Sequence, residues 1–416
     1  MSCNGMASFR FVHAADIHLD SPMAGLLGRA DLPGDIIRNA TRRAFEAMIG
    51  LALDEDAAFI VIAGDLYDRD WKDFSTGLFF NEQMRRFGRP CYLLRGNHDA
   101  ASQVTKTLTL APNVFEFSTR TCETHFLPDL AVALHGHSFP DRAVPEDLSA
   151  GYKPPRPGWF NIGLLHTSAD DPGAHAVYAP CTPAALALRG YDYWALGHVH
   201  ARAELGVRPH IVFPGNLQGR HVRETGAKGC TLVTVEDGRV ATAEHRAVDV
   251  LRWAVLTVDV TGLDVVSLNG AVAGAAARAV AEAEGRPVLA RLELRGETPL
   301  HGTLLGDADR LAAECREAAA ASGGRLWVEK VRFRTRLARQ ADADHLAAFR
   351  TAFDAGLDDA AIAARLLADF AELRHKLPAG ARAGLDLPAD EAALRRLADD
   401  AWAIAADAIG QAEAPA

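Results

Sequence analysis

The sequence predicts an α/β protein in three parts: a layered α/β domain over residues 1–250, a small α/β cap domain over 251–338 and a helical C-terminus over 339–416. Three observations carry that prediction. A chain of 416 residues is too long for one ordinary core. Its first 250 residues repeat one rhythm, in which an apolar, β-rich run ends in a polar cluster and a helical or irregular stretch follows. Beyond Leu251 the polar clusters stop, and beyond about residue 339 the strands stop as well.

The apolar runs lie at 9–14, 58–63, 91–94, 130–134, 161–165, 193–196 and 210–213, followed by 229–235 and 240–246. Strands so uniformly apolar suggest sheets covered on both faces. Helical periodicity falls between them, as at 37–53 and 76–86. The second part reads as strand 253–260, Ala-rich helix 266–283, strand 287–294, helix 306–321 and strand 325–336. No polar cluster ends these strands, so this β-α-β-α-β unit shows no chemistry of its own. Helices at 343–355, 358–373 and 390–409 make up the third part, which holds 14 acidic and 8 basic residues. Its apolar stripe of Ile362, Leu366, Phe370 and Leu373 fits either packing on the body or docking of a partner helix.

A net charge of −10 argues against holding nucleic acid by bulk electrostatics, though not against a local basic strip. No run approaches the roughly 18–20 apolar residues of a membrane span. The opening residues MSCNGMASFRFVHAADIHLDS lack the basic and apolar regions of a secretory signal, so a cytoplasmic protein without a membrane partner is expected. Cysteines 3, 91, 122, 181, 230 and 315 show no CxxC spacing and read as packing residues.

The chemistry gathers at five strand ends: Asp16-Ile17-His18, Gly64-Asp65, Gly96-Asn97-His98-Asp99, His166, and Gly197-His198-Val199-His200. Functional side chains of α/β proteins collect outside the carboxyl ends of strands, where residues distant in sequence meet. In extended chain, residues i and i+2 point to one side, so Asp16 and His18 could reach one ion together if that conformation persists. His198 and His200 share the spacing and could serve two neighbouring ions. Carboxylate, imidazole and amide oxygen without thiolate suit Mn, Fe or Zn and argue against a structural Cys-type zinc site. Asp65, at a glycine turn, could bridge two ions roughly 3.5–4 Å apart, a spacing that clamps a phosphoryl group. Gly64, Gly96 and Gly197 let the backbone turn into the site.

In this order, D-x-H, G-D, G-N-H-D, H and G-H-x-H resemble the calcineurin-like metallophosphoesterase superfamily. The resemblance implies a four-layer β-sandwich flanked by helices and two divalent metal ions, with Mn²⁺ expected and Fe, Zn or Mg as alternatives. It implies one ion on Asp16, His18, Asp65 and His200, and a second on Asp65, Asn97, His166 and His198. His98 would contact the phosphate and protonate the leaving oxygen. Asp99 would orient or cap locally. Some relatives carry a histidine three residues after the bridging aspartate; here Asp68 stands there and could orient His98 or bond nearby backbone.

Protein Ser/Thr phosphatases fit poorly, because Gly64-Asp65-Leu66-Tyr67-Asp68-Arg69-Asp70 and G-N-H-D replace their G-D-x-V-D-R-G and G-N-H-E. Ala15-Asp16-Ile17-His18-Leu19-Asp20-Ser21-Pro22 and Phe213-Pro214-Gly215-Asn216-Leu217-Gln218-Gly219-Arg220-His221 are similar to the bacterial SbcD/YhaO group of DNA repair exonucleases. That group implies Mn-dependent hydrolysis of DNA phosphodiesters, as an exonuclease that could also cut internally. It also implies an SMC-like coiled-coil ATPase partner and a homodimer. The alternative is a phosphodiesterase or phosphatase acting on a nucleotide or other small phosphoester.

Other features are weighed against these. His135-Gly136-His137 copies the ligand spacing but reads as a decoy, and His13 as a core histidine. His210, His245, His301, His345 and His375 are expected at the surface. Arg220, Arg223 and Lys228, in the loop after the last ligands, could contact a DNA backbone. Arg332, Arg334 and Arg336 alternate with Val331 and Phe333, which gives the best basic strip of the chain, suited to phosphate or to an exposed sheet face.

Overall fold

A computed structural model describes the chain except residues 1–7, 24–25, 27–28, 69–72, 102–108, 170–177, 322, 324, 338–343, 379–384, 386 and 414–416. Its contacts divide it into two units, Met1–Ala254 with Gly285–Leu289, and Val255–Glu284 with Ala290–Ala416.

In the first unit the buried runs become two six-stranded sheets. The first is ordered β12 (Arg239–Ala247), β11 (Gly229–Glu236), β1 (Phe9–Ala14), β2 (Phe59–Ile62), β3 (Cys91–Leu93) and β4 (Val114–Glu116). The second is ordered β5 (Glu123–Leu127), β6 (Val132–Gly136), β7 (Phe160–His166), β8 (Tyr193–Gly197), β10 (His210–Phe213) and β9 (Ala203–Val207). Strands β1 to β4 run parallel, as do β6, β7, β8 and β10. Each sheet therefore brings its carboxyl ends to one edge.

Phenylalanine-rich inner faces close the two sheets on each other. Phe11 stacks on Phe59 at 5.0 Å, and Tyr193 meets Phe11 edge-on at 5.4 Å. The outer face of the first sheet, with Val12, Ile60 and Ile62, is covered by Phe45 and Met48 of α1 (Gly34–Asp54) and Phe80 and Met84 of α2 (Phe74–Phe87). Asp73 starts α2 by accepting a hydrogen bond from the Ser75 amide, and Gly88, at φ 69°, ends it. A single helical turn, α3 (Asn97–Ala101), follows β3. On the outer face of the second sheet Tyr152, Tyr191, Trp194 and Leu186 of the short helix α4 (Pro183–Ala187) form a further core. Helix, sheet, sheet and outer layer follow in order, as the four-layer expectation requires. Cys91, Cys122, Cys181, Cys230 and Cys315 are buried free thiols, and Cys3 lies outside the described residues.

His13 is wholly buried between the sheets, as a core histidine should be. Its Nε2 lies 3.1 Å from the Leu196 carbonyl and its Nδ1 3.0 Å from the Tyr193 hydroxyl. A carbonyl only accepts, so Nε2 carries the proton and Nδ1 accepts from tyrosine. Burial, which disfavours the imidazolium, pushes the pKa from 6.5 down to about 3. Between those values the unfolded chain binds a proton that the folded chain refuses, so this contribution to stability is complete above pH 6.5 and falls as pH drops toward 3. Urea unfolding should show it as about 1.4 kcal/mol per pH unit. A His13→Gln variant should be weaker at pH 7 yet lose that much less per unit on acidification; parallel profiles for the two proteins would contradict the assignment.

The second unit holds most of a three-stranded sheet, β13 (Arg252–Asp259), β14 (Val288–Thr298) and β15 (Leu326–Leu337), whose first two strands begin in the first unit, with helices α5 (Val265–Glu282) and α7 (Ala308–Ala320) packed on each other. A short helix α6 (His301–Gly306), which periodicity did not indicate, precedes α7. Helices α8 (Asp344–Asp358), α9 (Ala360–Lys376) and α10 (Glu391–Glu413) follow, and α10 lies along α6. His301 is not the surface residue expected: it is buried, with Nδ1 2.8 Å from Thr335 Oγ1 and Nε2 3.2 Å from Asp400. In the α9 stripe Leu366 and Phe370 are half-buried, while Ile362 and Leu373 stay exposed.

Candidate metal centre

Five loops at the carboxyl ends of β1, β2, β3, β7 and β8 build the site. Beyond β1 the chain stays bonded to the loop after β2, through the amides of Asp16, His18 and Leu19 and the carbonyls of Gly64, Asp65 and Leu66. The extended conformation itself does not persist. Asp16 (φ 50°), His18 (φ 44°), Asp65 (φ 54°) and His198 (φ 106°) all adopt left-handed backbone. The side chains thus converge through successive turns and not through strand alternation. Each such non-glycine residue costs on the order of 1–3 kcal/mol, and four among seven expected ligands is the concentration of strain found at functional sites. Gly197 is needed for close approach, because a Cβ there would lie 1.9 Å from the Ala63 carbonyl oxygen.

Asp16, His18, Asp65 and His166 are almost wholly buried. Ligand atoms of Asp16, His18 and His200 lie within 4.8 Å of one another, and so do those of Asp16, Asp65 and His166. His18 Nε2 is 3.3 Å from His200 Nε2 and 3.9 Å from Asp65 Oδ2. His166 Nε2 is 3.5 Å from Asp65 Oδ2 and 3.0 Å from Asn97 Oδ1. The His198 ring lies 5.3 Å from that of His166, and its amide donates to Asp16. All seven expected ligands are therefore gathered in one place.

The donor set fits divalent cations. Two buried carboxylates stand among imidazoles whose ring nitrogens face one another, an arrangement that a cation between them satisfies. Burial raises the Asp16 pKa. At Asp65 burial acts the same way, but the charge and hydrogen bond of His166 outweigh it and hold the carboxyl ionised.

His98 borders this cluster, its ring 4.8 Å from that of His18. Its Nδ1 lies 2.6 Å from Asp68 Oδ1, so Asp68 orients the imidazole and does not merely bond backbone. Ser21 donates to the other Asp68 oxygen at 2.6 Å. Burial opposes the imidazolium, but the Asp68 hydrogen bond and the charges of Asp65 and Asp68 raise the His98 pKa overall. Asp99 caps the turns, accepting from the amides of Leu66, Tyr67 and Gly96.

The basic residues divide. Arg220 reaches the site, with Nη1 3.1 Å from Ser21 Oγ and 3.6 Å from Asp68 Oδ2. Arg223 is exposed. Lys228 is buried and donates to the His200 carbonyl at 3.0 Å, which corrects its reading as a DNA contact: a buried ammonium bound to backbone is a brace. Arg95 pairs with Glu116 at 2.7 Å. Arg332 lies 3.8 Å from Glu293, while Arg334 and Arg336 are exposed on the second unit. His135 is a decoy, held by Thr124 and Asn161 and stacked on Tyr191. Asp20, bonded by Arg42 and Thr76, ties the first ligand loop to α1 and α2. Sequence reasoning missed Ser21 and Glu224, whose carboxylate bonds His200 Nδ1 at 2.6 Å. Ser21 lies within the stretch 15–22 and Glu224 three residues beyond His221, where spacing alone ties neither to a site residue.

Comparison with known proteins identifies the family. Residues 9–202 match the family model of calcineurin-like phosphoesterases, and residues 253–336 that of the middle domain of metallophosphoesterase YhaO. The uncharacterized metallophosphoesterase YhaO of Bacillus subtilis (strain 168) is 35% identical over 305 residues, 71% of this chain and 73% of that protein. The DNA double-strand break repair protein Mre11 of Methanopyrus kandleri is 24% identical over 213 residues, 46% of this chain and 44% of that protein. Among solved structures, TT1561 of Thermus thermophilus is 14% identical with a TM-score of 0.36, over 58% of this chain and all of that one. Among the described residues no helix is long and apolar enough to cross a membrane.

Proposed function

Because this chain belongs to the calcineurin-like metallophosphoesterases, metal-dependent hydrolases of phosphoric esters, we propose that it is a two-metal DNA phosphodiesterase, an exonuclease of DNA repair. The observation that carries the reading is the convergence of seven oxygen and nitrogen donors from five strand ends beside an imidazole already held by a carboxylate. The similarity to Mre11 supports DNA as the substrate. In this reading Asp16, His18, Asp65 and His200 would hold one ion, and Asp65, Asn97, His166 and His198 the other. Bound ions, Mn²⁺ foremost and Fe, Zn or Mg otherwise, would clamp a phosphoryl group and lower the pKa of an attacking water.

The chain's own residues do the rest. Asp68 fixes the His98 ring through Nδ1 and leaves Nε2 to give a proton to the leaving oxygen. Arg220, held beside that pair, meets the phosphate backbone, and Arg223, Arg332, Arg334 and Arg336 add positioning contacts without sequence preference. The exposed apolar residues of α9 are the docking face for an SMC-like coiled-coil ATPase, and a second copy of the chain completes the cytoplasmic assembly.

End-labelled linear duplex DNA tests the reading. With Mn²⁺ the label should be lost progressively, and EDTA should stop it. Replacing Arg332, Arg334 and Arg336 together by glutamine should weaken binding alike for unrelated sequences and lower the salt slope by at most about 2.7. Intact DNA alongside rapid hydrolysis of a nucleotide phosphoester would favour the second reading, a small-phosphoester hydrolase, which the net charge of −10 supports.

A further inference from the structure

We propose that Glu224 is the positioning residue of His200, fixing the ring and the nitrogen that it presents to the metal centre. The inference rests on the two-ion reading and deepens it. His200 follows β8 in irregular chain, and its side chain is 22% exposed, so packing alone does not hold the ring. Its Nδ1 lies 2.6 Å from Glu224 Oε1. An ionised carboxylate only accepts, so Nδ1 donates to it and Nε2 is the nitrogen left to face the centre. That Nε2 faces His18 Nε2 at 3.3 Å and Asp16 Oδ1 at 3.8 Å. His166 is oriented through the same nitrogen by other means: it is fully buried, and its Nδ1 donates to the Ala63 carbonyl at 2.9 Å.

Glu224 is itself immobilised. It is buried, and its Oε2 accepts from the Arg220 amide at 2.7 Å and from Asn216 Nδ2 at 3.0 Å. Asn216 also donates to the Gln218 carbonyl, and Gln218 binds the Val250 amide and the Leu251 carbonyl. A Cβ on Gly219 would lie 2.7 Å from the Glu224 carbonyl, so only glycine lets the turn close. The stretch Asn216-Leu217-Gln218-Gly219-Arg220-His221 thereby gains a physical purpose, which is to deliver one carboxylate to one imidazole. Arg220 links this device to the other, lying 3.9 Å from Glu224 Oε1 and 3.6 Å from Asp68 Oδ2. Each of these carboxylates holds a different imidazole of the site.

Calorimetric titration of the full chain with Mn²⁺ tests the proposal without reference to activity. Wild type should take up two ions. Glu224→Gln, which keeps the size but not the charge, should bind one of them about 10–100-fold more weakly and the other unchanged. Selective ¹⁵N-histidine NMR of the metal-free protein should show His200 protonated at Nδ1 in wild type and a mixture in the variant. Should the glutamine variant unfold, Glu224→Asp, charged but too short to reach Nδ1, should give the same selective loss. Two ions bound as tightly as in wild type, or equal losses at both ions in step with metal-free stability, would overturn the inference while leaving the two-ion reading intact. A wild-type chain that binds no Mn²⁺ would overturn both.

Discussion

Asp65→Asn is expected to lower phosphodiester hydrolysis by about 10³-fold or more. The carboxylate stands where both proposed ligand groups meet: Oδ2 is 3.5 Å from His166 Nε2 and 3.9 Å from His18 Nε2. An amide keeps the shape but turns one oxygen into a donor and removes the charge that a pair of cations needs. The other oxygen also accepts from the His98 amide at 2.9 Å, a bond that asparagine can keep. The variant should therefore retain the circular dichroism of the wild type while losing turnover and paired metal binding. A variant that still holds two ions and retains a tenth of the activity would show that Asp65 is not shared.

His98→Ala is the second large effect, about 10²–10⁴-fold on DNA or another diester with an alkoxide leaving group. The loss should shrink with an acidic phenol as leaving group, because that oxygen departs without help. Both ions should still bind, since His98 borders the ligand cluster and is not one of the seven. Asp68→Asn should follow the same leaving-group pattern with a smaller loss, as it weakens a charge-assisted bond of 2.6 Å and removes one of the charges that raise the His98 pKa. Equal losses on both leaving groups would assign His98 to phosphate binding alone.

Much of this was legible in the sequence because buried parallel strands leave a strong mark. The runs at 9–14, 58–63 and 193–196 became β1, β2 and β8 within a residue or so, and the ligands sat where those runs ended. Strands β5 and β9 were not legible, since Glu123–Leu127 and Ala203–Val207 are polar or exposed and lack an apolar run. The expectation that Asp16 and His18 act through strand alternation failed because spacing does not record φ, and both residues are left-handed. Glu224 was invisible for a related reason. It serves His200 across 24 residues, and only the folded turn brings carboxylate and ring together. His301 misled as a lone histidine, because its partners Thr335 and Asp400 stand far along the chain.

The central claim is that five strand ends build one two-ion centre around Asp65. Electron paramagnetic resonance of the chain loaded with two equivalents of Mn²⁺ tests it most directly. An exchange-coupled signal in wild type that becomes an uncoupled Mn²⁺ spectrum in Asp65→Asn is the expected result. Uncoupled Mn²⁺ in the wild type at full loading, or a spectrum that Asp65→Asn leaves unchanged, would contradict it.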